Sequence, residues 1–250
     1  MFMSDITLFA FFMIGIIFLA SSVIKGITGF GTALFALPLI TAFFLTPELA
    51  RPLVVGVNLC LNIFILYKEK SISKQNYFNY QPLIISGFIA SILSVFLLPR
   101  INIQSFTIIL GVLMVLTALN KLFEGHHTIN NHQRYYILVG ILGGILNTLI
   151  GAGGVIVLIF LSNTRVIKKE FRLTLLIYFF IINTGSMIAF LFNQSLHLET
   201  IGSIFLVLPF AILGSLLGIL MNRNINERIF TKIVSLLLII MGLNNIFQIF

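Results

Sequence analysis

The chain has 250 residues, 59% hydrophobic and only 9% charged, with a net charge of +8 and a mean hydropathy of +1.12. A soluble domain carries about 25% charged residues, so this composition excludes a water-exposed surface over most of the molecule and indicates a helical bundle surrounded by lipid. Cys60 is the one cysteine, which excludes an intrachain disulfide framework, and the basic residues fall in short gaps between apolar runs, the pattern of a topology signal and not of a nucleic-acid surface.

Ten apolar segments follow one another along the chain, at roughly 6–24, 32–45, 53–67, 82–98, 104–123, 135–149, 154–161, 173–192, 200–221 and 231–249. The first begins after an acidic start at Asp5 and is long enough to span, so it reads as a retained segment and not a cleaved leader. Segment 32–45 is short, and 154–161 is far too short to cross as a standard helix. Each follows a glycine-rich break, Lys25-Gly26-Ile27-Thr28-Gly29-Phe30-Gly31 before the first and Gly151-Ala152-Gly153-Gly154 before the second. Glycine-interrupted short segments at matching places in two halves point to a transporter's binding site. The polar loops hold His126, His127, His132 and His197, which read as solvated loop residues; no metal or cofactor is expected.

The halves match. A shift of 122 places Gly29 on Gly151, Gly31 on Gly153 and Glu48 on Glu170, and a shift of 121 places Asn62 on Asn183. A shift of 124 places Ser91 on Ser215, Asn102 on Asn226, Phe106 on Phe230, Asn120 on Asn244 and Phe123 on Phe247. The expected organisation is an all-α polytopic bundle of two repeats, 1–125 and 126–250, with five segments each. An odd number of segments inverts the second repeat relative to the first. If the loops at 25–31, 68–81, 121–134, 162–172 and 222–232 face the cytoplasm, they hold 13 of the 15 basic residues, leaving Arg51 and Arg100 on the other side. The positive-inside rule asks for such a bias. Both termini then lie outside the cytoplasm, whether the 6–45 and 135–161 units cross twice or form re-entrant hairpins.

The stretch from Gly26 through Thr32 to Pro38-Leu39, with a second copy at Gly151-Ala152-Gly153-Gly154, resembles the glycine-rich motif that opens each half of TauE/SafE membrane proteins. The chain departs from that pattern where Phe30 and Thr32 interrupt the glycines, and where Phe160 stands in the place of Pro38. The resemblance implies a secondary transporter in a prokaryotic cell membrane, often an exporter, of sulfite or organosulfonates. The alternatives are an anion-selective channel or a membrane scaffold. The expected partners are a small anionic substrate, the bilayer, and a coupling proton or sodium ion, with no nucleic acid.

The candidate substrate site is Gly26, Thr28, Gly29, Gly31, Thr32, Asn62, Asn147, Thr148, Gly151, Gly153, Gly154 and Asn183. Glycines let the backbone leave helical geometry at membrane depth, and a following helix N-terminus offers N–H groups and partial positive charge to an anion. The same glycines also permit close helix packing. Threonine and asparagine supply neutral donors, or bond helix to helix. Lys25 is either an anion ligand or an interfacial anchor that snorkels. Glu48 and Glu170 are candidate coupling acids, or first-turn capping acids; Thr46-Pro47-Glu48 has the form of a helix start. No nucleophile–base set or paired carboxylates stand out, so an enzyme is not expected.

Overall fold

The computed structural model describes residues 8–69, 80–94, 108, 111–112, 114–119, 133–150, 153–162 and 167–247. Gly151, His126, His127, His132 and the repeat positions Asn102, Phe106, Asn120 and Phe123 lie outside them, as do Lys70, Lys74, Arg100, Lys121 and Arg165. Among the described residues every regular element is a helix. In chain order these are α1 (Leu8–Thr28), α2 (Thr32–Phe43), α3 (Pro47–Glu69), α4 (Gln81–Leu93), α5 (Gln133–Ile150), α6 (Gly154–Ser162), α7 (Lys168–Phe192), α8 (Leu198–Arg223) and α9 (Glu227–Phe247).

Among the described residues, four helices are long and apolar enough to cross a membrane: Phe9–Thr28, Pro47–Lys68, Lys168–Phe192 and Leu198–Arg223. Their outer faces remain apolar. Phe9, Phe12 and Ile16 on α1, and Phe205, Leu213, Leu217 and Leu220 on α8, are exposed. In water such stripes would aggregate; in lipid they are the solvated surface. The chain is an integral, multi-pass membrane protein. By contrast, α2 has 12 residues and α6 has 9. At 1.5 Å per residue they reach about 18 and about 14 Å, against a hydrocarbon core of about 30 Å.

The first break is narrower than the sequence indicates. Lys25 and Gly26 form the last turn of α1, and the chain leaves helical geometry only at Gly29 to Gly31. Both glycines there have positive φ, 87° and 108°, a region that side chains with a Cβ rarely enter. Gly26 stays helical and serves a different end: a Cβ on it would meet the Ser215 carbonyl oxygen and the Gly218 backbone of α8.

The halves interlock. α1 packs on α8 and α5 on α4, in each case the first helix of one half on the fourth of the other. α3 packs on both α7 and α8, and α7 on both α3 and α4. One core joins Phe18 of α1, Ile40 of α2, Val54 and Leu61 of α3, and Ala211 of α8. The other joins Leu83 of α4, Leu158 of α6, Leu175 and Tyr178 of α7, and Leu238 of α9. Small residues set the crossings. On the α4–α5 contact, a Cβ on Gly144 would run into the Gly87 carbonyl oxygen; on α1–α8, one on Gly214 would run into the Leu19 carbonyl oxygen. Close approach of this kind is how helices gain packing where lipid offers no hydrophobic drive.

Described residues beside the basic loops bond to one another. Arg172 Nη2 donates to Gly26 O at 2.6 Å, and Tyr80 Oη donates to Glu170 Oε1 at 3.2 Å. Burial, and then the nearby Glu170 carboxylate, holds the Tyr80 hydroxyl well above its ordinary pKa, so it keeps its proton and donates. The Tyr80 ring meets Tyr136 edge-on at 5.6 Å. Lys168 Nζ donates to Asn222 O at 2.9 Å and to Ile225 O, a cation on the carbonyls that end α8.

Gly144→Leu should therefore lose the α4–α5 contact. Overpacking costs typically about 1–3 kcal/mol, and more where backbone is struck. The expected result is a lower melting temperature in detergent and less folded protein. An unchanged melting curve would show that the crossing does not depend on this glycine.

Candidate functional site

Helix α7 carries the site. Three of its residues, at three levels, touch the elements that the glycine breaks interrupt. At 1.5 Å per residue, Arg172 to Phe179 spans about 10 Å and Arg172 to Asn183 about 16 Å along the axis.

At the first level Arg172 holds the first break. Its guanidinium bonds Gly26 O, and a Cβ on Gly29 would come within 2.9 Å of Arg172 Cγ. The Thr28 hydroxyl lies 2.8 Å from Ile24 O and 3.0 Å from Phe30 O, and accepts the Phe30 N–H at 3.3 Å. Its one proton is thus shared between backbone carbonyls, and Thr28 works here as a brace for the turn. Gly31 then starts α2 without a side-chain cap. Thr32, the first residue of α2, is fully buried, and its hydroxyl finds no hydrogen-bond partner among the described residues.

At the second level sits Lys25, only 2% exposed. Its Nζ does not reach a surface. It turns inward, donates to Asn58 Oδ1 of α3 at 2.8 Å, and lies 5.4 Å from the centroid of the Phe179 ring. No carboxylate contacts it among the described residues. The Phe179 ring is seated on Gly154, the first residue of α6, where a Cβ would overlap Phe179 Cζ. Phe179 thus stands between the buried ammonium and the helix that follows the second break.

At the third level Asn183 meets a neutral network. Asn147 Nδ2 of α5 donates to Asn183 Oδ1 and to Ser186 Oγ, both at 2.9 Å. Thr148 Oγ1 donates to Ser91 O at 2.9 Å and lies 2.8 Å from Ser186 Oγ. Gly153 lies against this network, since a Cβ on it would strike Gly143 O and Asn147. The network leaves Asn183 Nδ2 without a partner, and on α3 both amide atoms of fully buried Asn62 have none among the described residues. Buried polar groups in proteins are nearly always paired, so these unpaired amide atoms, at positions 121 apart in sequence, are candidate contacts for a further polar group.

The two acids lie elsewhere. Glu48 is exposed in the first turn of α3, where Leu49 and Ala50 N–H bond Thr46 O. Glu170 is half-buried in the first turn of α7. Asn58, Ser91 and Ser186 were not among the site residues named from the sequence, and neither were Phe179 and Arg172. Phe179 is one of 26 phenylalanines, and Arg172 one of 13 cations in the basic loops. Nothing in the one-dimensional pattern separates either from its neighbours.

The geometry and the glycine motif agree with a match along nearly the whole chain. The description of one protein family, Sulfite exporter TauE/SafE, fits residues 13–245. No curated protein and no solved structure matches the chain. The resemblance read from Gly26 to Leu39 therefore holds over more than the motif, and the chain belongs to the TauE/SafE sulfite exporter family.

Proposed function

We propose that the protein is a secondary carrier that exports a small sulfur oxyanion, sulfite or an organosulfonate, by alternating access between two inverted halves. The observation that carries this reading is Lys25, a buried ammonium with an amide oxygen and a ring face as partners and no carboxylate among the described residues. An ammonium out of water is costly unless an opposite charge joins it. A substrate anion supplies that charge. The orphan amides of Asn62 and Asn183 and the free hydroxyl of Thr32 are donors within the same bundle interior. Gly31 and Gly153–Gly154 start short helices whose N-termini favour negative charge.

The inverted repeat is supported by the packing. Exchanging first with first, second with second and so on turns the α1–α8 contact into α5–α4, α1–α2 into α5–α6, α2–α3 into α6–α7, and α8–α3 into α4–α7. It also relates single contacts. Gly26 and Thr148 differ by 122 and Ser91 and Ser215 by 124; Gly26 packs on Ser215 O, while Thr148 donates to Ser91 O. Units 1–125 and 126–250 are then topological repeats that share cores, and α2 and α6 are half-length helices that turn back inside the bundle. Gly151 belongs to the second break in this reading. Glu48 and Glu170, at helix starts, cap those helices and do not carry a coupling ion.

Three outcomes are expected. Proteoliposomes holding the purified chain should move sulfite or a sulfonate with saturation, and discriminate against cations. Linear, unsaturable anion current would instead indicate a channel, and no flux at all a scaffold.

Replacing an orphan polar group by an apolar one of like shape removes a desolvation penalty of about 1–3 kcal/mol. Asn62→Leu should thus keep or raise thermal stability while transport per folded molecule falls at least about tenfold, the equivalent of ~1.4 kcal/mol. Loss of stability together with retained transport would assign Asn62 to packing.

Because the positive-inside rule places the basic loops in the cytoplasm, a reporter active only there should work when fused near residues 70 and 168 and be silent at residue 250. A cytoplasmic C-terminus would remove the five-plus-five arrangement.

A further inference from the structure

The charge inventory of the interior goes further than the identity of the substrate. Among the described residues the buried polar and charged side chains include Lys25 and Arg172 but no aspartate or glutamate. A carrier that couples to protons through a side chain needs a group that gains and loses its proton inside the barrier, and interior carboxylates are the usual choice. None is buried here among the described residues. What the described interior holds is one lysine, out of water, whose burial opposes the charge that its two partners favour; it is also the interior group that could exchange a proton, which the pH gradient below tests. The Asn58 amide oxygen accepts from it, and the face of the Phe179 ring attracts it electrostatically.

The cation also occurs once. The shift of 122 that relates the breaks carries Lys25 to Asn147, a neutral amide whose Nδ2 is spent on Asn183 and Ser186. Arg172 is the other buried cation. It is pinned to Gly26 O, about 10 Å along α7 toward the basic end from Phe179, and two residues from Glu170. Lys168 and Lys169 lie at that same end. Glu48 and Arg51 stand at the start of α3, and Lys68 in its last turn, seven to ten residues from Asn58. Among the described residues, Lys25 is therefore the buried cation between α3 and α7, while Arg172 lies at the first break, two residues from Glu170.

We infer that Lys25 is a fixed counter-charge which makes export a potential-driven uniport with no coupling ion, a deduction that rests on the anion-carrier reading. Loaded with a monoanion, the site is neutral and changes its facing without moving charge. Empty, it carries one positive charge. A membrane potential that is negative inside draws the empty site back toward the cytoplasm and leaves the loaded step untouched. Each cycle sends one negative charge outward. No proton or sodium ion enters the balance.

The test uses the full chain in proteoliposomes with labelled methanesulfonate, a monoanion at every accessible pH, and hydrogen sulfite in mildly acidic buffer as a second probe. Absence of flux for both would overturn the carrier reading itself, and with it this inference. If either is carried, two fluxes are compared under potassium diffusion potentials. Exchange, with the anion on both sides, should be insensitive to the potential. Net flux should respond, and at about 100 mV should approach an anion ratio of about 50-fold, the equivalent of ~2.3 kcal/mol for one charge. A pH or sodium gradient at zero potential should drive no uphill movement.

Lys25→Arg should retain this signature. Lys25→Gln should lose most flux, and its residual exchange should become potential-sensitive. Exchange in the wild type that accelerates with potential as net flux does, or uphill movement on a pH or sodium gradient, would overturn the proposal. Should the glutamine variant fail to fold, the wild-type pair of fluxes and the arginine variant still decide.

Discussion

A buried ammonium with no acid beside it among the described residues is the constraint around which this interior is organised. Lys25 lies in the last turn of α1 and points between α3 and α7, the two helices at the middle of the bundle. In lipid a charge of this kind cannot borrow hydration. The chain offers it one amide oxygen and one ring face, which soften the penalty without cancelling it. Nearby, Asn62 and Asn183 keep amide atoms unspent. A core optimised for stability alone would place apolar residues at such positions, since replacing unsatisfied groups is commonly neutral or favourable. In the proposed carrier they would serve binding at a cost in stability.

The glycines divide into two kinds of work. Gly29 and Gly31 are required by backbone geometry, with φ values in the left-handed region. Gly26, Gly87, Gly144, Gly214 and Gly218 are helical, and are required by what lies against them, carbonyl oxygens and Cα atoms of the facing helix. Gly154 is of a third sort, because the neighbour that needs its missing Cβ is a side chain, the Phe179 ring. Through that contact the start of α6 is coupled mechanically to the ring over Lys25. In the proposed carrier, movement of either half about the α3–α7 contact would disturb that stack.

The halves are alike in packing and unlike in chemistry. Matched positions hold lysine and asparagine at 25 and 147, and asparagine and phenylalanine at 58 and 179. The first half contributes Lys25; the second contributes Arg172 at the first break and a hydroxyl and amide network that is largely satisfied by its own residues and Ser91. An oriented anion, with its charge toward Lys25 and its remaining oxygens toward neutral donors, suits such a pair better than two equal sites. The one-sided charge is also what gives the membrane potential something to act on.

Lipid makes much of this protein legible in one dimension. With no water to satisfy the backbone, spanning segments must be apolar helices of a set length. The apolar segments accordingly coincide with helices wherever their residues are described, the two short ones with α2 and α6. The glycine motif at residues 26–31 named the family, because backbone that must bend leaves a sequence signature. Asn62, Asn147, Thr148 and Asn183 stood out as candidates too, since polar residues are scarce in such a chain, and all four are buried. What the sequence could not contain is direction. Whether Lys25 snorkels or turns inward depends on which helices flank its last turn. That choice falls to α3 and α7, distant in sequence and brought there by the interlocked halves. The same holds for Arg172, a loop-end cation by its pattern, which tertiary packing lays across Gly29. Phe179 is one apolar residue among many until Gly154 and Lys25 close on its two faces. Periodicity and composition fix which residues a helix buries; only the packed neighbours decide what a buried side chain meets.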